Sequence, residues 1–92
     1  MTKKARVSLL INGQVQGVFF RLKAKEEADK LGLTGWVKNN GNGTVECLAE
    51  GDKDKLEQFI DWCQQGPEAA QVEKVEVEWQ SYGGEFSGFK II

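Results

Sequence analysis

The segment from Gly13 to Arg21 combines two glycines and a guanidinium in a spacing that suits an anion. Gly13 and Gly17 permit tight backbone curvature and let a ligand approach main-chain N–H groups closely. The segment leads into a predicted helix, so the N–H groups from Gln16 to Phe20 and the helix dipole would form an anion-binding cradle. Arg21 stands at its mouth, where a guanidinium can bind two phosphoryl oxygens. A simple strand-to-helix turn would explain the same glycines, so the pattern alone leaves both interpretations open.

A second candidate is Asn39, which ends the short segment that begins at Gly35. Its amide can accept a hydrogen bond from a water molecule and orient it, although an amide is a poor general base. The structural alternative is a hairpin asparagine that caps its own turn. We expect the first strand to lie beside the strand bearing Asn39, which would bring this amide towards the anion cradle.

Several kinds of chemistry are excluded by what the chain lacks. There is no histidine, so neither a Ser-His or Cys-His nucleophile nor a histidine metal site is available. Cys47 and Cys63 are too far apart in sequence for a usual zinc site, and each lies in an apolar pattern typical of a buried thiol, with a disulfide left open. The net charge of −2 and pI of about 5.1 disfavour a nucleic-acid binder, whereas a small anion needs only a local positive site.

Hydrophobic periodicity defines the elements that must position these residues. It predicts strands at 7–12, 33–39, 44–50 and 75–80, helices at 20–31 and 52–65, and a final short strand or extended tail at 86–92. We expect Gly32 and Gly66 to end the helices and Asp52 to cap the second one. In the third strand, alternation places Glu50 on the solvent side.

The order β-α-β-β-α-β predicts an α+β, ferredoxin-like split β-α-β sandwich. Its two helices would cover one face of a four-stranded antiparallel sheet. A length of 92 residues suits a single domain spanning residues 1–92. The apolar run near the N-terminus, at residues 7–11, is too short for a signal peptide or a membrane span, so we expect a cytoplasmic protein.

Taken together, the two segments resemble the acylphosphatase family. The family pattern G-x-V-Q-G-V-x-F-R stands here at residues 13–21, and G-W-V-x-N stands at 35–39, followed by Gly43 and Val45. Leu31-Gly32-Leu33 and the closing 88–91 segment are also similar to the family, so the resemblance spans nearly the whole chain.

The resemblance implies hydrolysis of an acyl phosphate to a carboxylate and inorganic phosphate, without metal or organic cofactor. The catalytic arginine of the family falls on Arg21 and its water-positioning asparagine on Asn39. The family's phosphate-binding loop falls on Gln16, Gly17, Val18, Phe19 and Phe20. We expect the partners to be the acyl phosphate and its phosphate product, with no nucleic acid or membrane, and we expect a monomer.

The chain departs from the family pattern at a few positions around these motifs. Phe19 stands where many microbial relatives carry glycine, and Ala24 replaces a common hydroxyl residue. Asn40 stands where threonine is frequent, and Asn42-Gly43 replaces a frequent Asp-Gly. These differences bear on hydrogen bonds around the site and on turnover rate, not on the reaction class.

Three other functions fit the same fold. One is a non-catalytic or carbamoyl-phosphate-processing accessory domain, like that of hydrogenase maturation proteins, although a chain that begins and ends with the domain favours a free-standing enzyme. Another is an RNA-binding domain, which needs exposed aromatics on the central strands and a basic surface; Trp36 is the only aromatic on the two hairpin strands. The third is a small-molecule regulatory domain fused to an enzyme.

Overall fold

The order of helices and strands follows the predicted β-α-β-β-α-β pattern, with a short strand added at the end. The computed structural model describes residues 3–92. Within that range the elements are β1 (Lys4–Gln14), α1 (Phe20–Lys30), β2 (Thr34–Asn39), β3 (Val45–Asp52), α2 (Lys53–Gln65), β4 (Gln71–Gln80) and β5 (Phe89–Ile91). The predicted ferredoxin-like α+β class is confirmed. Neither helix in this range is long and apolar enough to cross a membrane.

The strands form one sheet in the order β4-β1-β3-β2-β5. The first four strands pair antiparallel as predicted, and β5 adds a fifth strand that runs parallel to β2 at the edge. The predicted neighbourhood of the first strand and the strand bearing Asn39 is wrong, because β3 lies between β1 and β2. The crossover through α1 carries the chain past one strand position, which β3 then fills on its return.

The core lies between the two helices and the face of the sheet that they cover. The helices contribute Phe20, Ala24, Ala28, Leu56, Phe59, Ile60 and Cys63, and the strands contribute Val7, Leu9, Ile11, Val37, Val45, Cys47, Ala49 and Phe89. The two cysteines are free, buried thiols, as predicted. Burial, together with the neighbouring thiol of Cys47, raises the pKa of Cys63 and keeps it protonated. The rings of Phe59 and Phe89 meet edge to face at 5.8 Å, which ties β5 to the core.

The ends of the helices are partly as the sequence predicts. Gly32 follows α1 with a φ of 70°, and Gly66 ends α2 with the same φ while its N–H donates to the carbonyl of Trp62. Asp52 occupies the N-cap position of α2, but its side chain makes no capping hydrogen bond. Its carboxylate lies 3.7 Å from the ammonium group of Lys4 instead.

Glu50 breaks the predicted alternation of β3, because its side chain is completely buried on the face opposite the helices. The segment between β4 and β5, residues 81–88, crosses that face and covers it. The N–H of Gly83 donates to Oε2 of Glu50 at 2.7 Å, and Nε of Arg6 donates to the same oxygen at 2.8 Å. The guanidinium of Arg6 also binds Glu85 at 2.8 Å. This cluster holds the crossing segment in place and thereby brings β5 to the far edge.

The environment of Glu50 stabilises its charged form. Burial alone would raise the pKa of this carboxyl, but hydrogen bonds from the N–H of Gly83 and from Arg6, the charge of Arg6 and the N–H of Glu85 outweigh it. The net result is a pKa below the ordinary value for glutamate. Its contribution to stability is therefore complete above the pKa of the unfolded chain and is lost as the pH falls through the folded pKa.

We predict that Glu50→Gln lowers the free energy of unfolding at neutral pH and makes it less sensitive to acid. Urea unfolding measured between pH 7 and pH 3 should show the gap between wild type and variant narrowing as the pH falls. Glu85→Gln, which alters the exposed partner of the same arginine, is the matched control and should change stability little. A constant gap down to pH 3 would contradict this role of Glu50.

Candidate active site

The loop between β1 and α1 is anchored in the core at both ends. Val15 and Phe20 are buried, and Val18 between them packs partly against the core. The ring of Phe20 lies 5.3 Å from that of Trp62 on α2. Because these side chains point inward, the backbone between them is held in one conformation, as a preorganised site requires.

Two residues of this loop adopt left-handed backbone conformations. Gly17 has a φ of 73° and Phe19 a φ of 63°, and Phe19 is the only non-glycine residue of the described range with positive φ. A bulky side chain in this region costs about 1–2 kcal/mol. Such strain persists where surrounding contacts impose it, and it concentrates at functional sites. At Gly17 nothing lies within 4 Å of the place a Cβ would occupy, so the backbone there is open to a ligand.

The N-terminus of α1 has no anion of its own. Phe19 is the N-cap and makes no side-chain capping bond, and the first turn holds no acidic residue. Within residues 3–92, no carbonyl or side chain accepts a hydrogen bond from the backbone N–H groups of residues 16–22. Free N–H groups at the positive end of a helix are a ready site for phosphate.

Arg21 lies in this first turn, with its side chain exposed. Among the residues that the structure describes, no carboxylate forms an ion pair with it, in contrast to Arg6 or Lys25. Arg21 lines a pocket of about 320 Å³ together with Gly17, Phe19 and Asn39. A cation without a partner beside free N–H groups makes this pocket the positive site of the loop.

Asn39 does not cap its own turn. That turn is held by its neighbours, because Nδ2 of Asn40 donates to Oγ1 of Thr44 at 3.0 Å, and both the N–H and the hydroxyl of Thr44 donate to Oδ1 of Asn42. Oδ1 of Asn39 is buried and has no hydrogen-bond partner within the described chain. A buried acceptor without a donor is rare in folded proteins and calls for an explanation.

Gln16 connects the loop to the hairpin that carries Asn39. Its Nε2 donates to the carbonyl of Asn40 at 2.7 Å and to that of Thr44 at 3.0 Å. This tether explains how Asn39 reaches the loop although β1 and β2 are not neighbours. From the sequence, only the backbone N–H of Gln16 was expected to contribute to the site. An amide whose two N–H groups can serve two carbonyls is compatible with such a bridge, but the partners come from the fold.

Of the seven residues predicted for the site, five line the pocket: Gly17, Phe19, Phe20, Arg21 and Asn39. Gln16 and Val18 do not line it, because the amide of Gln16 binds the hairpin and Val18 packs partly against the core. The remaining lining residues, Val15, Leu22 and Ile91, were not predicted. In the described part of the chain, no three carboxylates or thiols cluster as metal ligands would.

Comparison with the sequences of known proteins points to one family. The sequence profile of the acylphosphatase family matches residues 7–91. The acylphosphatase of Pelotomaculum thermopropionicum is 52% identical over 88 residues, which cover 96% of this chain and 96% of that protein. That of Anaeromyxobacter is 46% identical over 91 residues, covering 99% of this chain and 98% of that protein.

Solved structures agree with this result. The acylphosphatase of Coxiella burnetii superposes with a TM-score of 0.92 at 36% identity, over 97% of this chain and 93% of that one. The Bacillus subtilis acylphosphatase also gives a TM-score of 0.92, at 35% identity, over 96% of this chain and 98% of that one. Full-length HypF in its phosphate- and nucleotide-bound form is similar at 26% identity with a TM-score of 0.85, over all of this chain but 12% of that protein. The chain belongs to the acylphosphatase family.

Proposed function

We propose that this pocket hydrolyses acyl phosphates, with the phosphate held by Arg21 and the loop N–H groups and the water positioned by Asn39. Membership of the acylphosphatase family supports the reaction class. One observation supports these roles most directly. Arg21, which has no ion-pair partner, the uncapped N-terminus of α1 and the amide of Asn39 all lie around a single pocket. Each of the three lacks a partner that a bound phosphate and its attacking water would supply.

The phosphate is held by positive charge and by hydrogen-bond donors that point towards it. The N–H groups of residues 16–20 point their donors at oxygens of the dianion, and the dipole of α1 adds a partial positive charge. Arg21 binds two further oxygens in a fork. These donors are fixed before substrate arrives, so they stabilise the charge that develops on the phosphoryl oxygens without reorganising.

The attacking water is aimed by Asn39. Oδ1 accepts one O–H of the water, which leaves a lone pair of the water oxygen directed at phosphorus. Phosphoryl transfer passes through a loose transition state with little bonding to the nucleophile, so a strong base is not required. Orientation alone supplies a large part of the rate.

The reaction balances without a general acid. The water oxygen forms a bond to phosphorus while the bond from phosphorus to the acyl oxygen breaks, and the carboxylate leaves with the electron pair. A carboxylic acid has a pKa of roughly 4 to 5, so its anion leaves unprotonated at neutral pH. The proton of the water passes to a phosphoryl oxygen, giving inorganic phosphate.

The proposal extends to the oligomeric state, the partner and the location of the enzyme. We infer a monomeric enzyme that acts as a single domain on residues 1–92 with no cofactor, and the match of the family profile to residues 7–91 supports the single domain. The acidic balance of the chain supports a small-molecule partner rather than a nucleic acid, and we further propose that the enzyme acts in the cytoplasm.

The similarity to HypF supports one alternative, an accessory domain that binds or processes carbamoyl phosphate for a larger protein. Release of inorganic phosphate from acetyl phosphate by the isolated chain, with multiple turnovers, separates the two functions. An accessory domain without catalysis would bind phosphate but release none from substrate.

We predict that Arg21→Gln weakens binding of both substrate and inorganic phosphate and reduces turnover by about a hundredfold or more, because the main charge on the phosphoryl oxygens is lost. Kinetics with acetyl phosphate, and competitive inhibition by phosphate, measure both effects. Lys23→Gln removes a positive charge two residues further along the same helix and should leave them within about twofold. Normal turnover by Arg21→Gln would rule out the assigned role.

Asn39→Ala should behave differently. We expect phosphate inhibition to stay close to that of wild type while kcat falls about a hundredfold, since the water loses its orientation but the anion site remains. The matched control is Asn12→Ala on β1, whose amide donates to an exposed glutamate. Parallel loss of phosphate affinity and kcat in Asn39→Ala would argue against a water-positioning role.

A further inference from the structure

Three exposed apolar side chains surround the mouth of the same pocket. Phe19 is 72% exposed, Leu22 46% and Ile91 40%. They come from three separate parts of the fold, namely the loop, the first turn of α1 and β5, yet all three line the pocket that holds Arg21. Scattered apolar residues on a surface need no explanation, but convergence at a charged pocket does.

The backbone at Phe19 makes this convergence more informative. With a φ of 63°, the position favours glycine, and a phenylalanine there keeps a strained conformation while its ring stays in solvent. The ring gains no core burial in return. A ligand surface that covers the ring would supply the missing contact.

Ile91 is held in a fixed position at the side of the pocket. β5 is fixed by the N–H of Gly35 donating to the carbonyl of Gly88 at 3.0 Å and by the N–H of Ile92 donating to that of Val37 at 2.9 Å. Ile91 pairs with Val37, two residues before Asn39 on β2. This register places an apolar side chain beside the water-positioning amide.

We propose that Phe19, Leu22 and Ile91 form an acyl subsite that receives the apolar body of the substrate while Arg21 and the loop hold its phosphate. This inference rests on the proposed function and names its substrate class: acyl phosphates with an aromatic or branched apolar acyl group, in preference to acetyl or carbamoyl phosphate. The groups bound would be an anionic head in the cradle and an apolar body against these three side chains. An apolar pocket distinguishes substrates that differ in apolar bulk by roughly tenfold or more.

The test compares kcat/KM for benzoyl phosphate with kcat/KM for acetyl phosphate in each protein, so that the intrinsic reactivities of the two substrates cancel between variants. Leu22→Gln replaces an apolar side chain of the subsite with a polar one that suits a helix, and Ile91→Ser alters the subsite from a different element. The control is Ile92→Ser, which changes the same residue type at a more exposed neighbouring position that does not line this pocket. Inhibition by inorganic phosphate reports on the anion site in every variant.

We expect the ratio to fall about fivefold or more in Leu22→Gln and in Ile91→Ser, with acetyl phosphate turnover and phosphate inhibition within about twofold of wild type and the control unchanged. An unchanged ratio in both variants, or equal loss for both substrates, overturns the subsite. Failure of the wild-type protein to hydrolyse either substrate would instead overturn the proposed function. The two failures are therefore distinguishable.

Discussion

The positive N-terminus of α1 beside an unpaired guanidinium is the feature on which the rest of the site depends. The other arginine of the chain, Arg6, is paired with carboxylates, and helix N-termini strongly favour a capping side chain. Here Phe19 provides no cap, the first turn has no acid, and Arg21 has no ion-pair partner in the described chain. This unpaired positive charge is available to a dianion. The loop that carries it is held in place because the side chains of Val15 and Phe20 are buried in the core.

The proposed function requires the loop and Asn39 to meet at one pocket, and the tether through Gln16 brings them together. The loop follows β1 and Asn39 ends β2, with β3 between those strands. Two hydrogen bonds from Gln16 to the hairpin fix the distance between anion site and amide. Asn40 and Asn42, where the chain departs from the family pattern, hold the hairpin turn themselves and leave the buried amide oxygen of Asn39 without a partner in the described chain. The cluster of Arg6 and Glu50 acts further away by bringing β5, and with it Ile91, to the same rim.

Periodicity and turn residues were enough to predict the fold class, the two helices and the first four strands, because local patterns determine them. Contacts between distant segments were not predictable in this way. Glu50 follows the alternation of a wet face, and only the segment that crosses over it from residues 81–88 makes it buried. The position of β3 between β1 and β2 likewise depends on pairing between strands that are distant in sequence. The same is true of the parallel pairing of β5 with β2. At the site, the residue types of Arg21 and Asn39 suggested their chemistry. Leu22 and Ile91 stand out in the sequence only as apolar residues outside the core pattern, so their place at the pocket could not be predicted.

The most direct test of this account is an NMR titration of the wild-type protein with inorganic phosphate. We predict that the largest, saturable shifts occur at the backbone N–H groups of residues 16–22, at Nε of Arg21 and at the side-chain amide of Asn39, with one common dissociation constant. Shifts spread over unrelated lysines, or centred on the N-terminus of α2 with the loop unperturbed, would contradict it.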